Sequence, residues 1–98
     1  MLISQYGIRL RSETQRQAKY PAVARREGWE GRGELLLVVG EDGRIAELKL
    51  VRSSGHTLLD RALIEGVRRA QSRVEIPAGL QGRRFQLELP FVMNLVNE

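Results

Sequence analysis

The chain contains no cysteine, which excludes a disulfide framework, a thiolate metal site and a cysteine nucleophile, and leaves the redox compartment open. It has a single histidine, His56, so no histidine cage can hold a metal. A catalytic triad would have to be assembled around that ring from Ser53, Ser54 or Asp60. Those neighbours are better explained as turn and helix-end residues, which favour Ser, Gly, Asp and Thr for backbone reasons. Glu41 and Asp42 stand without further carboxylates at loop spacing, and Gly31-Arg32-Gly33 lacks the preceding strand and following helix of a phosphate-binding loop. The residues therefore indicate no catalytic group, no metal ligand and no cofactor, and a protein that is not an enzyme is expected. No apolar run approaches the roughly 18 residues that would span a bilayer. Any targeting or anchoring segment is expected outside this sequence.

What is present is a basic chain of 98 residues with a formal net charge of +4. That length suits one domain with a modest core. Lys19 and Lys49 are its only lysines, so arginine carries almost all of the positive charge. The charges are interleaved with 12 acids, as on an ordinary solvated surface. Arg25-Arg26, Arg68-Arg69 and Arg83-Arg84 admit an alternative reading as a basic nucleic-acid-binding α+β domain. Against it, the first two strand candidates carry no aromatic on which a base could stack, and Phe85 and Phe91 fall on the face assigned to the core. No nucleic-acid partner is expected.

The stretch Gly33 to Ser54 organises the chain as two apolar runs folded back at Glu41-Asp42-Gly43-Arg44, where Gly43 can take the positive φ of a tight turn. Before it, Leu2, Tyr6 and Leu10 fall at i, i+4 and i+8, the narrow stripe of a helical segment over residues 1–19. Tyr20-Pro21 then interrupts the chain. A second helix is expected to start at Pro21 and to end by Gly28 in a left-handed cap, with Trp29 covering the end of the core. In the first strand Leu35, Leu37 and Val39 face one way and Leu36 and Val38 the other, so it is expected to be central, or covered by something outside this sequence. The return strand, Arg44 to Arg52, looks half exposed. Thr57 is expected to cap a helix running to about Ala70, with Leu59, Leu63, Val67 and Ala70 on its apolar face. Gly66 among them suggests close approach to the sheet.

After an irregular stretch, Ser72 to Gly82, comes the longest alternation. Phe85, Leu87, Leu89, Phe91, Met93 and Leu95 face one side, and Gln86, Glu88, Pro90, Val92, Asn94 and Val96 the other. Pro90 cannot donate to a ladder on its own side, so this strand is expected at a sheet edge, where another chain can add. The expected fold is α+β, a small three-stranded antiparallel sheet with helices packed on one face as a two-layer sandwich.

Several of these features, taken together and in order, resemble a known family. They are Tyr20-Pro21 with Ala24, Glu30-Gly31 before a strand, the Asp42-Gly43-Arg44-Ile45 turn, the Ser53-Ser54-Gly55 loop, Leu59-Asp60 opening a helix that closes Val67-Arg68-Arg69-Ala70, and the final alternating strand. From about Gln17 to Leu95 the chain is similar to the TonB C-terminal domain, giving residues 20–98 as that domain behind the helical segment 1–19. The resemblance implies the periplasmic end of an inner-membrane-anchored protein. Such a protein passes the proton-motive force from an inner-membrane motor complex to outer-membrane transporters for siderophores and other iron chelates, haem or cobalamin. It also implies that the transporter's short TonB box adds to the sheet edge as a strand. The family's Gln-Pro-x-Tyr-Pro segment meets Gln17, Tyr20 and Pro21 here. Ala18 departs from the proline and leaves the preceding segment free to be helical. The implied pairing strand is about Arg84 to Asn94, with Arg84, Gln86, Glu88, Pro90, Val92 and Asn94 as partner-binding candidates. A TolA-like domain, or a TonB-like protein serving one haem transporter, would keep the fold and change the partner. The exposed edge, with Leu36 and Val38, also makes a homodimer conceivable.

Overall fold

A computed structural model describes residues 1–95, and the expected continuation of the alternation to Val96 lies outside the described residues. Helix α1 spans Leu2–Gln17 and α2 spans Ala22–Glu27. Strands β1 (Gly31–Val39) and β2 (Ile45–Arg52) follow, then helix α3 (Thr57–Gln71), a 3-10 turn at Ala78–Leu80 and strand β3 (Phe85–Met93). The sheet order is β2-β1-β3 and both pairings are antiparallel. β1 is therefore central and β3 lies at an edge, as the two-sided apolar run and Pro90 require.

Alternation decides which face of the sheet is buried. Leu35, Leu37 and Val39 of β1 and Phe85, Leu87, Leu89, Phe91 and Met93 of β3 join Leu59, Leu63 and Val67 of α3 in one core. Tyr6 and Leu10 of α1 belong to the same core, and the Tyr6 ring meets Phe85 edge-on, with centroids 5.6 Å apart. Thr14 and Tyr6 bring buried hydroxyls to α1; Thr14 Oγ1 donates back to the Leu10 carbonyl at 2.7 Å and the Tyr6 hydroxyl accepts from Gln71 Nε2 at 3.4 Å, so neither is stranded. On the opposite face the apolar residues of β1 are shielded by their own neighbours. Val38 is only 4% exposed, flanked by Glu47 of β2 and Gln86 of β3, and Leu36 is half-buried between Lys49 and Glu88.

Several local expectations change in detail. Pro21 is the N-cap of α2 rather than its first residue, a place where its fixed φ and missing N–H cost nothing. Gly28 ends that helix with φ 73°, and the Gly28 and Trp29 amides donate to carbonyls of the last turn. Thr57 does not cap α3. His56 occupies the N-cap position without a side-chain hydrogen bond. The loop is instead held by Asp60, whose carboxylate accepts Ser53 Oγ at 2.5 Å, the Ser54 amide at 2.8 Å and Ser54 Oγ at 2.7 Å.

Gly66 is also explained differently. A Cβ there would lie 2.9 Å from Ala18 Cβ and 3.1–3.2 Å from the Ala18 backbone, so the close approach is to the end of α1, not to the sheet. Gly66→Ala would gain about 1 kcal/mol of helix propensity but must displace backbone atoms, and overpacking of that kind costs about 1–3 kcal/mol. Urea unfolding should show a net loss of about 1 kcal/mol. Ala18 has its own constraint, because its N–H donates to the Thr14 carbonyl at 2.7 Å and closes the last turn of α1. Ala18→Pro removes that donor and disfavours helical Gln17. The expected outcome is a loss of about 1–2 kcal/mol, with faster amide exchange confined to the end of α1.

Candidate partner-binding edge

The functional question turns on the outer edge of β3. The sheet has two edges, and they differ. Register shifts break the pairing of β2 with β1 at Glu34/Leu35 and again at Val38/Val39, the kind of irregularity that twists a strand and blunts it against further pairing. β3 instead pairs with β1 in unbroken register from Gly31↔Met93 to Val39↔Phe85. It is the longer of the two edge strands and the straighter template.

The pleat says which groups the β3 edge offers. Backbone N–H and C=O groups of alternate residues in an antiparallel strand point to the same side. Pro90, opposite Glu34, has no N–H to give and belongs on the outer side. Gln86, Glu88 and Val92 share its parity, so their amides and carbonyls face outward with it. The Gln15 side chain agrees: its Nε2 donates to the Val92 carbonyl at 3.5 Å, a long contact from α1 across the edge. The side chains of Gln86, Glu88, Pro90 and Val92 are exposed on the open face of the sheet, alternating with buried residues along the strand.

Two depressions flank the Gln15 contact between α1 and β3. One of about 280 Å³ is mainly apolar, with Ile3, Ile8, Leu87, Leu89 and Pro90 among its walls and Gly7 at its floor. A Cβ at Gly7 would press on Leu87 at 3.2 Å, which is how α1 comes so close to the strand. The other, about 550 Å³, is the more polar of the two and lies at the end of β3. Gln15, Lys19, Tyr20, Arg25, Val92 and Asn94 are among its walls.

Comparison with known proteins now decides the family. The family described as Gram-negative bacterial TonB protein C-terminal matches residues 16–95. The chain belongs to the TonB C-terminal family. A Protein TonB from Pseudomonas putida is 35% identical over 78 residues, which cover 79% of this chain and 32% of that relative; the chain thus spans about a third of the relative's length. Among solved structures, a TonB C-terminal domain from Helicobacter pylori superposes with a TM-score of 0.79 at 21% identity, covering 93% of this chain and 81% of that one. A TolAIII domain bound to a peptide derived from the N-terminus of TolB superposes with a TM-score of 0.54 at 19% identity, covering 87% and 71%. At those identities the two structures speak for the fold. TonB C-terminal domains are protein-interaction domains of periplasmic energy transduction rather than enzymes.

The segment that meets the TonB Gln-Pro-x-Tyr-Pro pattern is divided by the fold. Gln17 is turned into α1: its Nε2 donates to Glu13 Oε2 at 2.7 Å and its carbonyl accepts from Arg69. Tyr20 lines the polar depression, its hydroxyl donating to the Trp29 carbonyl and its ring lying 5.8 Å from the Arg25 guanidinium carbon. Pro21 faces a different groove, with Lys19, Arg61 and Glu65. Arg84 is exposed one residue before β3, and Asn94 follows its end. Gln15, Lys19 and Arg25 border the edge and are not among the partner-binding candidates expected from the sequence. The only available signal for Gln15 was its polarity on a helix otherwise rich in charge. Trp29, half-buried, stacks on His56 with centroids 4.8 Å apart and planes 8° from parallel, which fixes the loop and leaves His56 in a structural place.

Proposed function

We propose that this TonB-family domain takes up a short extended segment of an outer-membrane transporter, its TonB box, as a fourth strand along the outer edge of β3. On that reading the chain is the periplasmic end of an inner-membrane-anchored transducer, which delivers proton-motive energy from an inner-membrane motor complex to transporters of iron chelates, haem or cobalamin. The observation that carries it is the unbroken β3 ladder, whose outer side leaves the Gln86, Glu88 and Val92 amides pointing away from β1. Backbone pairing supplies the affinity and side-chain pockets the choice. Alternate side chains of the added strand would enter the two depressions beside α1, one apolar and one lined by Tyr20, Lys19 and Arg25. The peptide-bound TolAIII structure supports the reading at the level of fold. Arg84, Gln86, Glu88, Pro90, Val92 and Asn94 would flank the bound segment, Tyr20 would meet its end, and Gln17 and Pro21 would act through the α1–α2 link.

Glu88→Pro tests this directly. Glu88 shares the parity of Pro90, so proline there spares the β1–β3 ladder and removes one outward donor. Loss of one backbone hydrogen bond should weaken a TonB-box peptide about fivefold to tenfold by calorimetry, with the unfolding midpoint of the free domain little changed. Unaltered affinity would show that the segment does not pair with β3.

A further inference from the structure

The positive charge of the molecule is not evenly placed. On the open face of the sheet Lys49 stands among Glu34, Glu47 and Glu88, and the Arg52 guanidinium is 3.8 Å from Glu34. The outer surface of the helix layer is different. Arg9, Arg11 and Arg16 of α1 and Arg61, Arg68 and Arg69 of α3 are all exposed, and the two helices lie against each other over the sheet. Glu13 pairs with Arg16 and Glu65 with Arg69. Among the described residues Arg9, Arg11, Arg61 and Arg68 make no ion pair. Arg73, just past α3, borders the same surface beside Arg9 and Arg16, with Glu13 and Glu75 as the acids among them.

Apolar side chains protrude among these arginines. Ile8, 70% exposed, sits between them on α1, and Met1 and Leu2 are exposed at its start. No aromatic ring lies on this surface to stack a base, which argues against single-stranded nucleic acid. Guanidinium groups around a protruding aliphatic side chain are what a headgroup layer over acyl chains accommodates. We infer that the α1–α3 surface docks reversibly on an anionic lipid bilayer, with the arginines against lipid phosphates and Ile8 reaching into the interface. This surface excludes the outward backbone groups of β3 but shares Ile8 and Arg11 with the apolar depression beside them, and the inference does not rest on strand addition. It would hold the domain beside a membrane with the outward backbone groups of β3 still available and the apolar depression walled by Ile8 and Arg11 covered.

The test is flotation of the 98-residue chain with vesicles of phosphatidylcholine alone and of phosphatidylcholine mixed with phosphatidylglycerol. Co-flotation is expected only with the anionic vesicles and should fall as salt rises. Each basic residue near such a surface contributes about fivefold in binding, so Arg9→Glu, Arg61→Glu and Arg68→Glu together should weaken it at least a hundredfold. Ile8→Ser should weaken it about tenfold. Lys49→Glu, on the sheet face, should leave it unchanged. Equal binding to both vesicle types, no binding at low salt, an equal loss with Lys49→Glu, or tighter binding to a mixed oligonucleotide than to anionic vesicles would each overturn the inference. Circular dichroism of the triple variant confirms that any loss is not unfolding.

Discussion

Phe91→Ala lowers the stability of the domain by about 3–5 kcal/mol, measured by urea unfolding. Phe91 is fully buried, opposite Gly33 within the β1–β3 ladder, and truncating a buried phenylalanine removes its transfer energy and leaves a cavity. A neighbour on the same strand behaves differently. Val92 is 38% exposed, and Val92→Ser should fall within about 0.5 kcal/mol of the parent. The contrast matters for function because the same strand supplies core on one face and a candidate partner surface along its side. Variants intended to probe binding belong at Gln86, Glu88 and Val92, where a changed affinity cannot be mistaken for unfolding.

The second large effect is at Asp60. This carboxylate is 5% exposed and accepts three hydrogen bonds from Ser53 and Ser54. Asp60→Ala leaves the Ser54 amide and two hydroxyls without their partner, and hydrogen bonds to a charged group contribute about 1.5–3 kcal/mol each without adding fully. A loss of about 2–4 kcal/mol is expected. Burial alone would push the Asp60 pKa up, but the Ser53 and Ser54 hydrogen bonds and the nearby His56 outweigh it and hold the value below the ordinary 3.8. The folded state therefore prefers the ionised form, and its contribution is complete above 3.8. As pH falls through the lower folded value, that contribution is lost. Stability measured against pH should decline in this acid window in the parent, and the decline should be shallower in Asp60→Asn.

The parts of the fold that sequence exposes are those where one residue carries a strong backbone rule over a long repeat. The twofold alternation from Phe85 to Met93 gives a strand, and Pro90 within it gives an edge. Together they fix where β3 lies without reference to any other element. Where a residue needs close approach, the sequence tells less. Gly66 announces a tight contact, but only the packing of α1 shows that the neighbour is Ala18. Thr57 is a good capping residue by type, yet Asp60 holds the loop through Ser53 and Ser54, because the chain leaving β2 passes over the first turn of α3 and brings both serines to the carboxylate. Gln15 and Gln17 differ by about 200° around a helix, and only the phase at which α1 sits on β3 determines that Gln15 reaches Val92 while Gln17 turns back to Glu13. A resemblance in the order of motifs carries none of that phase information.

The most direct measurement is amide exchange and chemical-shift mapping by NMR of the domain titrated with a peptide spanning a transporter's TonB box. Pairing on the outer edge of β3 predicts that the Gln86, Glu88 and Val92 amides shift and become protected, while their inward neighbours Leu87 and Leu89 keep the protection they already have. Perturbation along Ile45–Arg52 of β2 instead, or no change in exchange anywhere on β3 at saturating peptide, would contradict it.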